Sequence, residues 1–121
     1  GATVDEVLTV NTPHSEALTG QKPESWRKKL ENILNKINSL EFDFATVGCG
    51  GLSLLICQHI KEMGIPTVHL GGANQILYGI KGKRWDESFR NYEWYGNEEW
   101  TRPSLEETPR ESKLVEDGCY W

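Results

Sequence analysis

With 121 residues, 37% hydrophobic and 26% charged, the chain has the size of one globular domain that buries about two-thirds of its unfolded surface without disulfides or metal. The formal net charge of −5 argues against a general nucleic-acid binder, which needs a dominant basic face to displace counterions. No apolar run reaches membrane-span length and no signal-peptide pattern opens the chain; Cys49, Cys57 and Cys119 are odd in number and never spaced CxxC, which points to a reducing cytoplasm rather than a disulfide scaffold or zinc knuckle.

Gly1-Ala2 stands where an initiator methionine is usual and runs straight into VDEVLTV (4–10). That start reads as a cleavage scar on a piece cut from a longer protein. VDEVLTV, rich in β-branched residues, is predicted to be a strand, and the polar NTPHSEALTGQK after it a long loop. Pro23 and Glu24 suit a first helical turn. Trp26, Leu30, Ile33, Leu34, Ile37 and Leu40 then recur at helical spacing, predicting an amphipathic helix over 24–39. FDFATVG (42–48) has the pattern of a strand covered on both faces. LSLLICQHIKEM (52–63) is apolar nearly all round, so a largely buried helix is expected, ended by Gly64 and Pro66. PTVHL (66–70) is a third predicted strand, and ANQILYGI (73–80) a third helix that Gly79 weakens. Beyond Trp85 the pattern dissolves into an aromatic and acidic stretch and an extended or wrapping tail.

Strand and helix alternating at these spacings imply βαβ units with parallel strands. The expected architecture is a Rossmann-like three-layer α/β fold, or part of one, with about three strands. In it 3–84 forms the core and 85–121 an aromatic segment and tail of the same domain.

In such a sheet, ligands lie outside the carboxyl ends of the strands. Three loops would meet there: NTPHSEALTGQK, GCGG (48–51) and GGANQ (71–75). Gly48, Gly50, Gly51, Gly71 and Gly72 permit close backbone approach, and the helices that follow offer unpaired N–H groups suited to phosphate. Glycine is equally at home in any tight strand-to-helix turn, and that reading stays open for each junction alone. A dinucleotide site is disfavoured. Gly48-Cys49-Gly50-Gly51-Leu52-Ser53 has serine in place of the third glycine, and the next strand ends His69-Leu70-Gly71-Gly72 with no carboxylate for ribose hydroxyls. The same absence counts against a methyltransferase, and a cofactor enzyme of either kind survives only if an amide such as Asn74 replaces the missing carboxylate.

Lys81, Lys83 and Arg84 are the densest basic cluster outside the first helix, placed to fold back over a diphosphate or to lie as an exit loop in water. Six of the twelve aromatics, Trp85, Phe89, Tyr92, Trp94, Tyr95 and Trp100, fall within 85–100. They are expected to hold a helix-poor segment in place through area burial, the alternative being a stacking surface for a base or sugar. Cys49 at a helix start reads as a small buried residue, and His69 as a hydrogen-bonded structural histidine. His14, Ser15 and Glu16 are loop residues with the elements of acid–base chemistry. No metal-ligand spacing is present.

The stretch FDFATVGCGG…HIKEMGIPTVHLGGANQILYGIKGKRW, with the ending NEEWTRPSLEETP…VEDGCYW, resembles the GT-D-type glycosyltransferase-like domains of bacterial surface-polysaccharide proteins, over roughly residues 40–121. The motif HLGG-x-x-Q-x-L-x-GIKG-x-RW carries the likeness. The resemblance implies a Rossmann-like fold and a nucleotide-diphosphate sugar as ligand. It singles out Gly48, Gly50, Gly51, Gly71, Gly72, Gln75, Lys81, Gly82, Arg84 and Trp85. Relatives carry an acidic D-x-E metal motif N-terminal to this region, and none occurs here: Glu41-Phe42-Asp43 has the reverse order. Either a divalent metal and a catalytic carboxylate come from a fuller protein or this group has lost them, and the piece alone is expected to be inactive. The rival reading is a non-catalytic binding or assembly module, and a homo-oligomer is open in either case.

Overall fold

The computed structural model describes residues 3–12, 25–109, 112–114 and 116–121. The expected long loop, its His14, Ser15 and Glu16, and the helix start at Pro23 and Glu24 lie outside them. The chain divides into two compact units. Unit 1 comprises 1–14 and 24–69, and unit 2 comprises 15–23 and 70–121.

Unit 1 is a βαβ unit with a preceding helix. Helix α1 spans Trp26–Asn38, and the periodicity of its apolar residues places Ile33 and Ile37 in the core. Ser25 accepts the Lys29 amide at its start, and the Ser39 hydroxyl closes its end on the Lys36 carbonyl at 2.7 Å. Strand β1 (Ala45–Val47) and strand β2 (Thr67–His69) pair in parallel, with Val47 opposite His69. Helix α2 (Ser53–Glu62) connects them. It ends where Gly64 turns left-handed (φ 82°), Gly64 N–H bonding Lys61 O and Ile65 N–H bonding Ile60 O. This double closure satisfies the last carbonyls and makes glycine the natural residue there. Ile33, Ile37, Val47, Ile56 and Ile60 form the core, with Val10, Leu30, Leu34, Phe42, Ala45 and Ile65 packed around it. The His59 Nε2–H donates to Asn38 Oδ1 at 2.7 Å, tying α2 to α1.

Unit 2 holds helices α3 (Asn74–Leu77), α4 (Lys83–Phe89) and α5 (Glu93–Gly96), with tight turns at Gly71–Ala73, Ser112–Leu114 and Glu116–Gly118. Its aromatics pack on one another: Trp85 stacks on Phe89 at 5.7 Å, Phe89 meets Trp94 at 5.1 Å, and Trp94 and Tyr95 both contact Trp100. Area burial in this ring cluster serves as the core of a unit with no sheet among its described residues. Tyr95, at its centre, is buried.

The fold is therefore mixed α/β with parallel strands, but among the described residues the sheet has two strands rather than the expected three. VDEVLTV forms no strand and has no ladder partner among the described residues. Val4 is 78% exposed, with Val7 and Leu8 also open to solvent, and Val10 alone reaches the core cluster. A β-branched run becomes a strand only where a neighbour supplies its hydrogen bonds. The expectation of a largely buried α2 is corrected as well. Ser53, Ile56 and Ile60 are covered, but Leu54 is 70% exposed and Leu55 is also open. A sheet three residues deep buries one stripe of a helix, not its whole circumference. FDFATVG is likewise not covered on both faces, since Phe44 is exposed. The third helix stops at Leu77 instead of reaching Ile80, because Gly79 adopts φ 67° and closes it. Gly79 N–H bonds Ile76 O and Ile80 N–H bonds Gln75 O, the same closure as at Gly64.

Truncating Ile56, 3% exposed, to alanine is expected to cost about 2–5 kcal/mol in urea unfolding. Leu54→Ala, on the open face of the same helix, is expected to stay within about 0.5 kcal/mol. Equal losses would contradict this placement of the core.

Candidate functional site

The sequence-predicted site residues fall in both units. In unit 1, Gly48, Gly50 and Gly51 follow β1 at its carboxyl end and are exposed. Gly50 sits at φ 55°, a conformation glycine reaches without strain, whereas a Cβ at Gly51 would meet nothing within 4 Å. The buried Ser53 hydroxyl accepts the Cys49 N–H at 2.9 Å. Burial pushes the Cys49 thiol up, only partly offset by its hydrogen bond with Ser53. This is opposite to what a reactive thiolate needs. His69 Nδ1–H donates to the Val47 carbonyl at 3.2 Å, across the β1–β2 pair.

Unit 2 gathers the rest. Its centre is Gly82, buried between two stretches of chain. A side chain there would lie 3.1 Å from the Tyr120 carbonyl oxygen and 3.2 Å from that of Cys119. The missing Cβ lets the C-terminal residues lie directly on the start of α4. Lys83 N–H bonds Trp121 O at 3.1 Å, and Arg84 N–H bonds Cys119 O at 3.0 Å. Gln75 reaches the same strap from α3, its Nε2–H donating to Tyr120 O at 2.7 Å. Gly72 is also close-packed: a Cβ there would come within 2.9 Å of the Arg84 guanidinium and 3.0 Å of the Tyr120 ring. Arg84 lies over the Tyr120 ring at 4.8 Å, a cation–π contact. Gly71 takes φ 54° in the turn that delivers Gly72.

Lys81 is fixed through its backbone, its N–H bonding Thr101 O at 2.7 Å while Thr101 N–H bonds Gly79 O. Its ammonium lies 5.8 Å over the Tyr95 ring. The Tyr95 hydroxyl donates to Asp86 Oδ1 at 2.8 Å, and Arg102 grips both oxygens of that carboxylate at 2.7 and 2.9 Å. Burial alone would raise the Asp86 carboxyl; the bonds from Arg102 and Tyr95 outweigh it and hold the group below the usual carboxylate range. This brace sets α4 against α5.

Lys83 and Arg84 are both paired with the tail. Lys83 Nζ donates to the Asp117 carboxylate and, at 3.1 Å, to its carbonyl, while Arg84 pairs with the Glu116 carboxylate. The hydrogen bond from Lys83 first, and its charge second, lower the Asp117 carboxyl. Cys119, buried beside them, donates its thiol to Glu116 Oε2 at 3.3 Å. Burial pushes that thiol up.

Three polar atoms of this cluster are buried with no hydrogen-bond partner among the described residues: Asn74 Oδ1, Gln75 Oε1 and Trp85 Nε1. Two acceptors and one donor are thus held in place without being used, a costly arrangement in a folded chain. Glu116, Asp117 and Tyr120 are the members that sequence reading missed. A signal for the acids existed in the facing dipeptides Lys83-Arg84 and Glu116-Asp117. The role of Tyr120 has no sequence signature, because it acts through its backbone carbonyl and ring face.

Comparison with family models, with curated proteins and with solved structures finds no match to this chain in any of the three.

Gly82→Ala is expected to lift the strap off α4 and cost about 1–3 kcal/mol in unfolding experiments, as overpacking against backbone does. Gly51→Ala, with open space around the position, is expected to be neutral. A neutral Gly82→Ala would contradict the close approach of the two segments.

Proposed function

We propose that the chain is the nucleotide-sugar-binding portion of a glycosyltransferase-like protein, built on a Rossmann-like framework of which β1–α2–β2 is the visible unit. The supporting observation is the cluster in unit 2. Gly72, Gln75, Gly82 and Arg84, residues of the long motif, converge on the Cys119–Trp121 ending, and Trp85 follows them on α4. Around them Asn74 Oδ1, Gln75 Oε1 and Trp85 Nε1 stay unpartnered among the described residues. Fixed acceptors and a fixed donor suit a ligand rich in hydroxyl and imide groups, such as a nucleoside or a sugar. Lys81, Lys83 and Arg84 supply the charge that a diphosphate needs. In unit 1, Gly48, Gly50 and Gly51 stand at the carboxyl end of a parallel strand, the edge where open α/β sheets take their ligands.

The divalent metal that the resemblance implies finds no ligand set here. No D-x-E occurs in the sequence, and among the described residues no three His, Cys, Asp or Glu side chains gather. On this reading the chain's residues hold the donor. Among the described residues, no helix is long and apolar enough to cross a membrane.

A second reading, a non-catalytic assembly module, is favoured by apolar side chains left open: Leu54 and Leu55 on α2, and Tyr92 and Trp94 on the aromatic cluster. Titration of the chain with UDP-glucose, GDP-mannose, UDP, NAD and S-adenosylmethionine, followed by amide NMR, separates the two. The donor-binding reading predicts saturable shifts with a nucleotide sugar at Gly72, Gln75, Lys81 and the Trp85 indole. Silence from every ligand on a well-dispersed spectrum favours the assembly module.

A further inference from the structure

The cationic pair Lys83–Arg84 is already liganded by the chain's own tail, and the tail makes two kinds of contact. Cys119, Tyr120 and Trp121 are held by backbone bonds to Arg84 and Lys83 and by the Gln75 side chain. Among the described residues, Glu116 and Asp117 are held through their charged side chains, Glu116 by Arg84 and the Cys119 thiol and Asp117 by Lys83, and through the Asp117 carbonyl. The acidic turn is also conformationally costly. Glu116 (φ 45°), Asp117 (φ 57°) and Gly118 (φ 74°) are left-handed in succession, and only glycine adopts that geometry freely. The Asp117 and Glu116 side chains are 81% and 60% exposed, so solvent and salt screen their attraction to the cations and a soluble anion can reach it. An anchored end carrying a strained, weakly held acidic turn is built to exchange.

We infer that the Glu116–Asp117 turn is an internal competitor for the anionic group of the ligand, its carboxylate oxygens standing where phosphate oxygens would sit on Lys83 and Arg84. This rests on the donor-binding reading for the identity of the ligand class, a nucleoside diphosphate. The arrangement sets a selectivity. The two cations are paired in crossed order, Lys83 with Asp117 and Arg84 with Glu116. A ligand with two adjacent phosphoryl groups replaces both carboxylates at once, whereas a single phosphate replaces one and leaves the other in place to repel it. Displacement lets residues 116 and 117 leave the left-handed region, while Cys119–Trp121 stays bonded to α4. Diphosphate binding is thereby coupled to release of the acidic turn, and the tail reports occupancy of the site.

The test is an amide NMR titration of the full chain at constant ionic strength with inorganic phosphate, inorganic diphosphate and a UDP-sugar, repeated on the variant E116Q/D117N. The expected result is that diphosphate, more than phosphate, moves the Glu116, Asp117 and Gly118 amides saturably. The variant, whose competent state is always populated, should bind diphosphate about tenfold more tightly. Equal affinity in the two proteins, or binding that leaves residues 116–118 unmoved, overturns the inference. A UDP-sugar that shifts Gly72 and Gln75 with the same affinity in both proteins would leave the donor-binding reading standing without it. No response of either protein to any of the three ligands overturns both. Should the variant fail to fold, the unaltered chain decides alone, because its tail amides either move with diphosphate or do not.

Discussion

Unit 2 depends on the absence of one side chain. With no Cβ at Gly82, the Cys119–Trp121 ending lies against the first turn of α4 and accepts backbone hydrogen bonds from Lys83 and Arg84. The other features follow from that contact. Tyr120 comes under the Arg84 guanidinium and presents its carbonyl to Gln75, and the tail acids face the two cations. A unit without a described sheet has few ways to order a chain end, because each residue fixed costs about 1–2 kcal/mol of backbone entropy. Here the ring cluster of Trp85, Phe89, Trp94, Tyr95 and Trp100 provides the apolar burial. The bonds to α4 then give the ending a defined register.

Unit 1 is organised differently, by a conventional βαβ path with its apolar stripe of isoleucines. Two of its glycines take left-handed backbone for different reasons. Gly64 closes α2 by a double hydrogen bond, and Gly50 turns the chain off β1 in the left-handed region. The same residue type thus does three separate jobs in this protein: ending helices at Gly64 and Gly79, opening a tight turn after each strand at Gly50 and Gly71, and admitting close contact at Gly72 and Gly82.

Much of unit 1 was legible in the amino-acid order. The α1 periodicity, the two short runs that became β1 and β2, and the Gly64 stop all rest on local chemistry that a single sequence displays. What it did not display is non-local. VDEVLTV carries strand propensity, but a strand needs a partner, and the apolar circumference of α2 says nothing about how much sheet there is to cover it. In unit 2 the glycines, Gln75 and the basic cluster stood out as a group, yet their arrangement around Tyr120 was not readable. It depends on residues some forty positions apart meeting through backbone atoms. The pairing of Lys83 and Arg84 with Asp117 and Glu116 was hidden for the same reason, although the complementary charges were in view.

The most direct test of this account is amide hydrogen exchange across the unaltered chain. If the ending is bonded to α4 as described, the Lys83 and Arg84 amides are protected together with that of Lys81, at the level of the local unit rather than of an open loop. Exchange of Lys83 and Arg84 at the rate of a free peptide, in a chain whose α1 and α2 amides are protected, would contradict the bond between the tail and α4 on which the site is built.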